Sequence, residues 1–258
     1  MRSETSIWGE PPRDREPKGL SVVATPAAAL VDAAQQLVQM PEAEKLKVRS
    51  GEHIAAILMT ALYLLPVEVD EDGGVDLVFQ RTSAQTPLWP FGGSLRAAVE
   101  VKSLPGKWRK HEYNMRLGDT YQVKIQNAFE ILELGSKKIM EAAEALQHKV
   151  GSSDMSRNAF LIIHPMDGFA LELITAGPVI GHLLPALDEH VALDYLWVYW
   201  YPGLLSKWSR KERHWTDYLF AEISPDDPSL DDAIEAAEDI FLEGIGWTGG
   251  SPWRMAFS

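Results

Sequence analysis

Two stretches decide how this chain folds: Gly73-Gly74-Val75-Asp76-Leu77-Val78-Phe79 and, further on, Ala97-Ala98-Val99-Glu100-Val101-Lys102. Each is a short aliphatic run entered from a turn, the composition of a β-strand. The first follows an acidic turn, Asp70-Glu71-Asp72-Gly73-Gly74, and the second a long loop marked by Pro87, Pro90, Gly92 and Gly93. Asp is disfavoured in strands, so Asp76 between Val75 and Leu77 needs a reason beyond propensity. Side chains alternate between the faces of a strand, which puts Glu100 and Lys102 on one face. Two carboxylates and one ammonium can then converge. Oxygen donors of this kind suit a hard divalent ion, Mg²⁺ or Mn²⁺, with a lysine beside it to position a water and offset developing negative charge. The Glu-x-Lys spacing alone carries little, since Glu16-Pro17-Lys18 has it too. The second copy is distinguished by its apolar strand and by the Gly-Gly-x-Asp turn ahead of it.

Working outward, residues 1–24 hold Pro11, Pro12 and Pro17 among mixed charges and are expected to form a flexible arm. A helix is expected from Thr25 as N-cap, with Pro26 at its first position, to Pro41. A second, more apolar helix is expected over 51–65, capped by Ser50 and closed by Pro66, with a short strand around Val67 to Val69. Strands over 75–80 and 97–102 follow, then a helix over 119–149 broken at Gly135, and a strand over 159–163. Further on come a helix over 178–187, strands over 195–200 and 218–223, and an acidic helix over 229–242. Strands interleaved with helices predict an α/β fold: a central mixed β-sheet flanked by helices, with a C-terminal α/β extension. Residues 25–258 are expected as a single domain, its core about 50–165 and its extension 166–258.

The bipartite pattern Gly73-Gly74-Val75-Asp76 and Ala98-Val99-Glu100-Val101-Lys102 resembles the signature of the PD-(D/E)XK, or restriction-endonuclease-like, nucleases. That family's core runs helix, three strands, helix, strand, which is the order expected over residues 50–165. Val75 stands where the family name places Pro. The resemblance implies Mg²⁺- or Mn²⁺-dependent hydrolysis of nucleic-acid phosphodiesters, with DNA the expected substrate. It further implies Asp76, Glu100 and the Val101 carbonyl as metal ligands and Lys102 beside the attacking water. In many members a Glu on the first core helix joins the metal shell, and Glu52 is the matching residue. A subset similar to the RecB-type nucleases carries a Gln and an aromatic on the helix after the Glu-x-Lys strand, a pattern that Gln126 and Phe129 offer. Cores of this kind serve restriction, phage defence, recombination and repair.

Composition bounds these expectations. The chain has 258 residues, no cysteine and a formal net charge of −13, from 37 acidic and 24 basic side chains. Absence of cysteine excludes a thiolate zinc site, a disulfide scaffold and a cysteine nucleophile, and fits a cytoplasmic protein. The longest apolar run, Ile54 to Val67, is interrupted by Thr60 and Pro66 and is short for a membrane span. No His-x-His or His-Glu-x-x-His spacing, P-loop or Gly-x-Ser-x-Gly elbow occurs. The acidic balance opposes indiscriminate binding to nucleic acid, yet the charge is uneven. Residues 102–116 hold five Lys or Arg against one acid, with Trp108, His111 and Tyr113 interleaved. Residues 207–215 repeat the theme with Lys207, Arg210, Lys211 and Arg213 beside Trp208 and Trp215. Cations threaded with aromatics suit phosphate contact plus stacking, which nominates Lys107, Trp108, Arg109, Lys110, Arg116, Lys207, Arg210 and Lys211 as nucleic-acid contacts. Residues 222–243 carry nine acids and no base, the pattern of a solvated helix. The rival expectation is a nuclease-like fold without chemistry, acting through its Trp-rich C-terminal region on a second copy or a partner protein.

Overall fold

In the computed structural model the residues described are 6–9, 21–62, 68–69, 74–81, 89–104, 128–151, 155–163 and 184–251. They build one eight-stranded mixed sheet flanked by helices. The strands are β1 (Ser21–Pro26), β2 (Glu68–Val69), β3 (Leu77–Gln80), β4 (Arg96–Leu104), β5 (Met155–Ile163), β6 (Tyr195–Trp200), β7 (Leu204–Ser209) and β8 (His214–Ala221). The helices are α1 (Ala28–Leu37), α2 (Glu52–Leu62), α3 (Ala128–Lys149) and α4 (Leu230–Gly244). The strands lie in the order β1-β8-β7-β6-β5-β4-β3-β2. Parallel pairing joins β4, β5 and β6, and β1 to β8; the remaining neighbours are antiparallel.

Burial on both faces explains the aliphatic density of the central strands. Leu77, Phe79, Ala97, Val99, Val101 and Phe160 point to one face, where they pack with α1, α2 and α4. Ala98, Leu104, Ala159, Leu161 and Ile163 point to the other, against Leu132, Ile139, Ala143 and Leu146 of α3. The expected C-terminal extension continues the same sheet: β6, β7 and β8 add beyond β5.

Several expectations are corrected. Part of the N-terminal arm is seated in the fold. Trp8 is buried, bridges Leu187 and donates its indole N–H to Ser136 Oγ at 2.9 Å, while β1 closes the sheet edge beside β8. Thr25 and Pro26 therefore belong to a strand, and α1 starts after Ala27 with no side-chain cap. Gly135 does not break α3. A Cβ there would lie 2.8 Å from Leu161 Cδ2, so the glycine lets the helix approach β5 closely. Leu184–Leu187 are not helical, and the rest of that predicted helix lies outside the described residues. β7 was not expected at all, and β8 begins at His214, well before the expected start.

The acidic helix is α4, with Ser229 as N-cap accepting from the Asp232 N–H at 3.2 Å. It is not solvated throughout, because Glu238 is buried against His53 Nε2 at 3.2 Å. Trp197, Trp200, Trp208 and Trp215 are all buried within the chain's own core, which removes them from any exposed interface. No helix among the described residues is long and apolar enough to cross a membrane.

Candidate active site

Asp76 stands immediately before β3. Register pairs Leu77 with Val99, so the next step outward sets Asp76 opposite Glu100. Its Oδ2 accepts the Val101 N–H at 2.7 Å, closing the end of the β3–β4 ladder with a side chain in place of a backbone carbonyl. That bond is the reason for an Asp at this point of the sequence: a buried amide donor needs an acceptor. Asp76 is 8% exposed and Glu100 3%. Burial first, and the Glu100 carboxylate next, push the Asp76 carboxyl up to about 6. Glu52 adds a smaller like-charge effect, while the Val101 N–H and Lys102 oppose the shift.

Glu100 and Lys102 share a face of β4, and Lys102 Nζ lies 3.7 Å from Glu100 Oε1. A second ammonium, Lys149 at the C-terminal end of α3, is closer, donating to the same Oε1 at 3.0 Å. Glu100 Oε2 is buried and has no hydrogen-bond partner among the described residues. A carboxylate oxygen withdrawn from water without a donor is costly, and in native proteins such a group calls for a ligand or a function.

Glu52 reaches the site from the other face of the sheet. The turn of 3₁₀-helix at Val48–Ser50 ends in Gly51 at φ 85°, a left-handed conformation that favours glycine and folds Glu52 back toward Lys47. Glu52 Oε2 accepts the Lys47 N–H at 3.0 Å, and Oε1 accepts from Ser50 Oγ at 3.2 Å and lies 3.3 Å from Lys47 Nζ. The same Nζ stands 3.9 Å from Asp76 Oδ1. Lys47 therefore links the first core helix to Asp76, and both Glu52 oxygens are occupied in doing so.

Three carboxylates (Glu52, Asp76, Glu100) and three ammoniums (Lys47, Lys102, Lys149) thus form one mutually neutralising group. Sequence reading found the carboxylates and Lys102 but missed Lys47 and Lys149, whose relation to the others is purely tertiary. Among the described residues no three His, Cys, Asp or Glu side chains converge closely enough to hold an ion as they stand. The donor set nevertheless fits a hard divalent ion in kind. Asp76, the bare Glu100 Oε2 and the Val101 carbonyl are all oxygen, and the first two converge where β3 and β4 meet.

The expected nucleic-acid contacts divide. Lys107, Trp108, Arg109, Lys110 and Arg116 lie outside the described residues, as does Gln126. Phe129 is in α3, but its side chain is not described. Lys207 is 8% exposed, with its Nζ 5.6–5.8 Å from the ring centres of Tyr195, Trp197 and Tyr218. Arg210 gives its guanidinium to the carbonyls of Leu193, Glu189 and Val191 and lies over the Trp208 ring. Both cations are engaged with groups of the chain itself, Lys207 buried and Arg210 partly exposed. The alternation of β7 explains the burial of Lys207, because Leu205 and Lys207 point to the same buried face. Lys211 alone of these three is exposed. Comparison with protein-family models, with curated proteins and with solved structures gives no match.

Proposed function

We propose that this chain is a divalent-metal-dependent nuclease that hydrolyses phosphodiester bonds of DNA, built on a restriction-endonuclease-like core. The observation that carries the reading is Glu100 Oε2, a buried carboxylate oxygen without a donor among the described residues, beside Asp76 and on the same strand face as Lys102. The order α2, β2, β3, β4, α3, β5 supports it, since it repeats the helix, three strands, helix, strand of the family that the motifs resemble.

Asp76, Glu100 and the Val101 carbonyl would hold the ion, with Glu52 behind them fixing Lys47. When bound, a Mg²⁺ or Mn²⁺ ion supplies Lewis acidity toward a phosphate oxygen and lowers the pKa of a water. The chain's own groups do the rest. The Val101 N–H fixes the Asp76 carboxylate in one orientation. Lys102, on the rigid β4, stands where it can orient the attacking water and stabilise charge that develops on the phosphate. Water oxygen attacks phosphorus, one backbone P–O bond breaks, and the departing oxygen takes a proton. Burial of Asp76 and Glu100 strengthens every one of these electrostatic contacts.

The test is incubation of the protein with linear, circular and single-stranded DNA and with RNA, in Mg²⁺, Mn²⁺ or EDTA, alongside Lys102→Ala. Cleavage that needs the metal and is lost in the folded variant supports the proposal. No cleavage of any substrate, or undiminished cleavage by the variant, overturns it.

A further inference from the structure

We infer that Lys149 is a counter-ion that opposes the metal: its ammonium compensates the buried Glu100 charge through Oε1, and that same positive charge weakens the hold of a divalent ion taking the carboxylate through Oε2. The inference rests on the proposed function and extends it to how the site is kept folded and what sets its affinity for the ion.

Two ammoniums share Glu100 Oε1, Lys149 at 3.0 Å and Lys102 at 3.7 Å. Glu100 is almost wholly buried, so without a cation its charge would stand uncompensated in the sheet. Of the three site lysines, Lys149 brings its ammonium closest to Glu100, while Lys47 pairs with Glu52 and Asp76 instead. Lys102 belongs to the middle of the sheet, with β4 paired on both sides. Lys149 is the last residue of α3, and its side chain is 29% exposed on a stem of four methylenes. A cation at a helix C-terminus is favoured by the helix dipole wherever its side chain points within that turn. No other hydrogen-bonding or charged group of α3 contacts Glu100 among the described contacts, so Lys149 is the charge that α3 sets against the incoming ion.

A divalent ion and an ammonium compete for the same carboxylate and repel each other. Removing Lys149 while keeping the length of its side chain should therefore tighten binding of the ion, whereas a structural brace would weaken or leave it. The experiment is calorimetric titration of Mn²⁺ into the wild-type chain, Lys149→Met and Lys149→Arg, with thermal unfolding of each in EDTA and in saturating Mn²⁺. Lys149→Met should bind Mn²⁺ about two- to fivefold more tightly than wild type, the size expected for loss of one partly exposed competing pair. It should unfold at a lower temperature than wild type in EDTA, and that deficit should shrink in Mn²⁺. Lys149→Arg, which keeps the charge, should bind like wild type. Should Lys149→Met prove too unstable to titrate, Lys149→Gln serves the same comparison. Unchanged or weaker Mn²⁺ binding in the neutral variants, with wild type binding normally, overturns the inference and leaves the proposed function standing. No binding to any of the proteins overturns both.

Discussion

Replacing Asp76 by Asn should stabilise the metal-free protein at neutral pH. The Asp76 carboxyl is raised from 3.8 to about 6, chiefly by burial and then by Glu100. The folded chain therefore binds this proton more tightly than the unfolded chain does. Stability is unaffected by the group below about pH 4, where both states are protonated, and falls as pH rises through 6. Above that, keeping Asp76 ionised costs about 3 kcal/mol at about 1.4 kcal/mol per pH unit of difference. Asn removes the charge and can keep its side-chain oxygen on the Val101 N–H. It loses the attraction of Lys47, 3.9 Å from Oδ1 and partly solvated, worth about 1 kcal/mol at most. The net gain is about 2 kcal/mol at pH 7.5, or about 4–8 °C in Tm for a chain of this length. Urea unfolding of both proteins in EDTA, from pH 4 to 8, measures it. The gap should open between pH 4 and 6 and then level off. An Asn variant no more stable than wild type at pH 7.5, or a gap that does not change with pH, would refute the reasoning.

Other outcomes follow from the same geometry. Ligation needs the ionised carboxylate, so Mn²⁺ affinity should fall by up to about tenfold per pH unit as pH drops below 6, read by calorimetry; a flat profile would remove Asp76 from the ligand set. Lys207→Met should leave DNA affinity and its salt dependence unchanged, because a caged ammonium contacts no phosphate; a slope lower by about one would return Lys207 to the interface. Arg210→Ala should cost about 1–3 kcal/mol in urea unfolding, having taken one donor from each of the Leu193, Val191 and Glu189 carbonyls and uncovered Trp208. Gly135→Leu should cost about 1–3 kcal/mol by driving α3 off Leu161, and no loss would mean that the close approach is not needed.

How much of this was legible in the sequence depends on the range of the signal. Alternation and turn residues are local, and they located β3, β4, β5 and β6 and the face shared by Glu100 and Lys102. The site's lysine partners are not local. Lys149 meets Glu100 across 49 residues, and Lys47 meets Asp76 from the turn ahead of α2, on a separate element. Neither spacing repeats in any motif. β7 was hidden by its charge: Lys207 and Arg210 read as part of a basic, aromatic patch for nucleic acid, although Leu204-Leu205-Ser206-Lys207-Trp208 alternates across a two-sided core. The lysine is tolerated there because three aromatic rings face its ammonium, an arrangement that joins β6, β7 and β8 and that no single strand can announce. Gly135 misled for a related reason, since a helix-weakening residue was needed to fit its neighbour β5.

The central claim is that the bare oxygen of Glu100 exists to take a metal in phosphodiester hydrolysis. Glu100→Gln tests it most directly, because the amide keeps the shape and hydrogen-bonding reach of the side chain but removes the charge that a divalent ion needs. With Mn²⁺ and the nucleic acid that wild type cuts best, the variant's single-turnover cleavage rate should fall by at least about a hundredfold while its circular dichroism and Tm show a folded protein. Cleavage within tenfold of wild type would contradict the account.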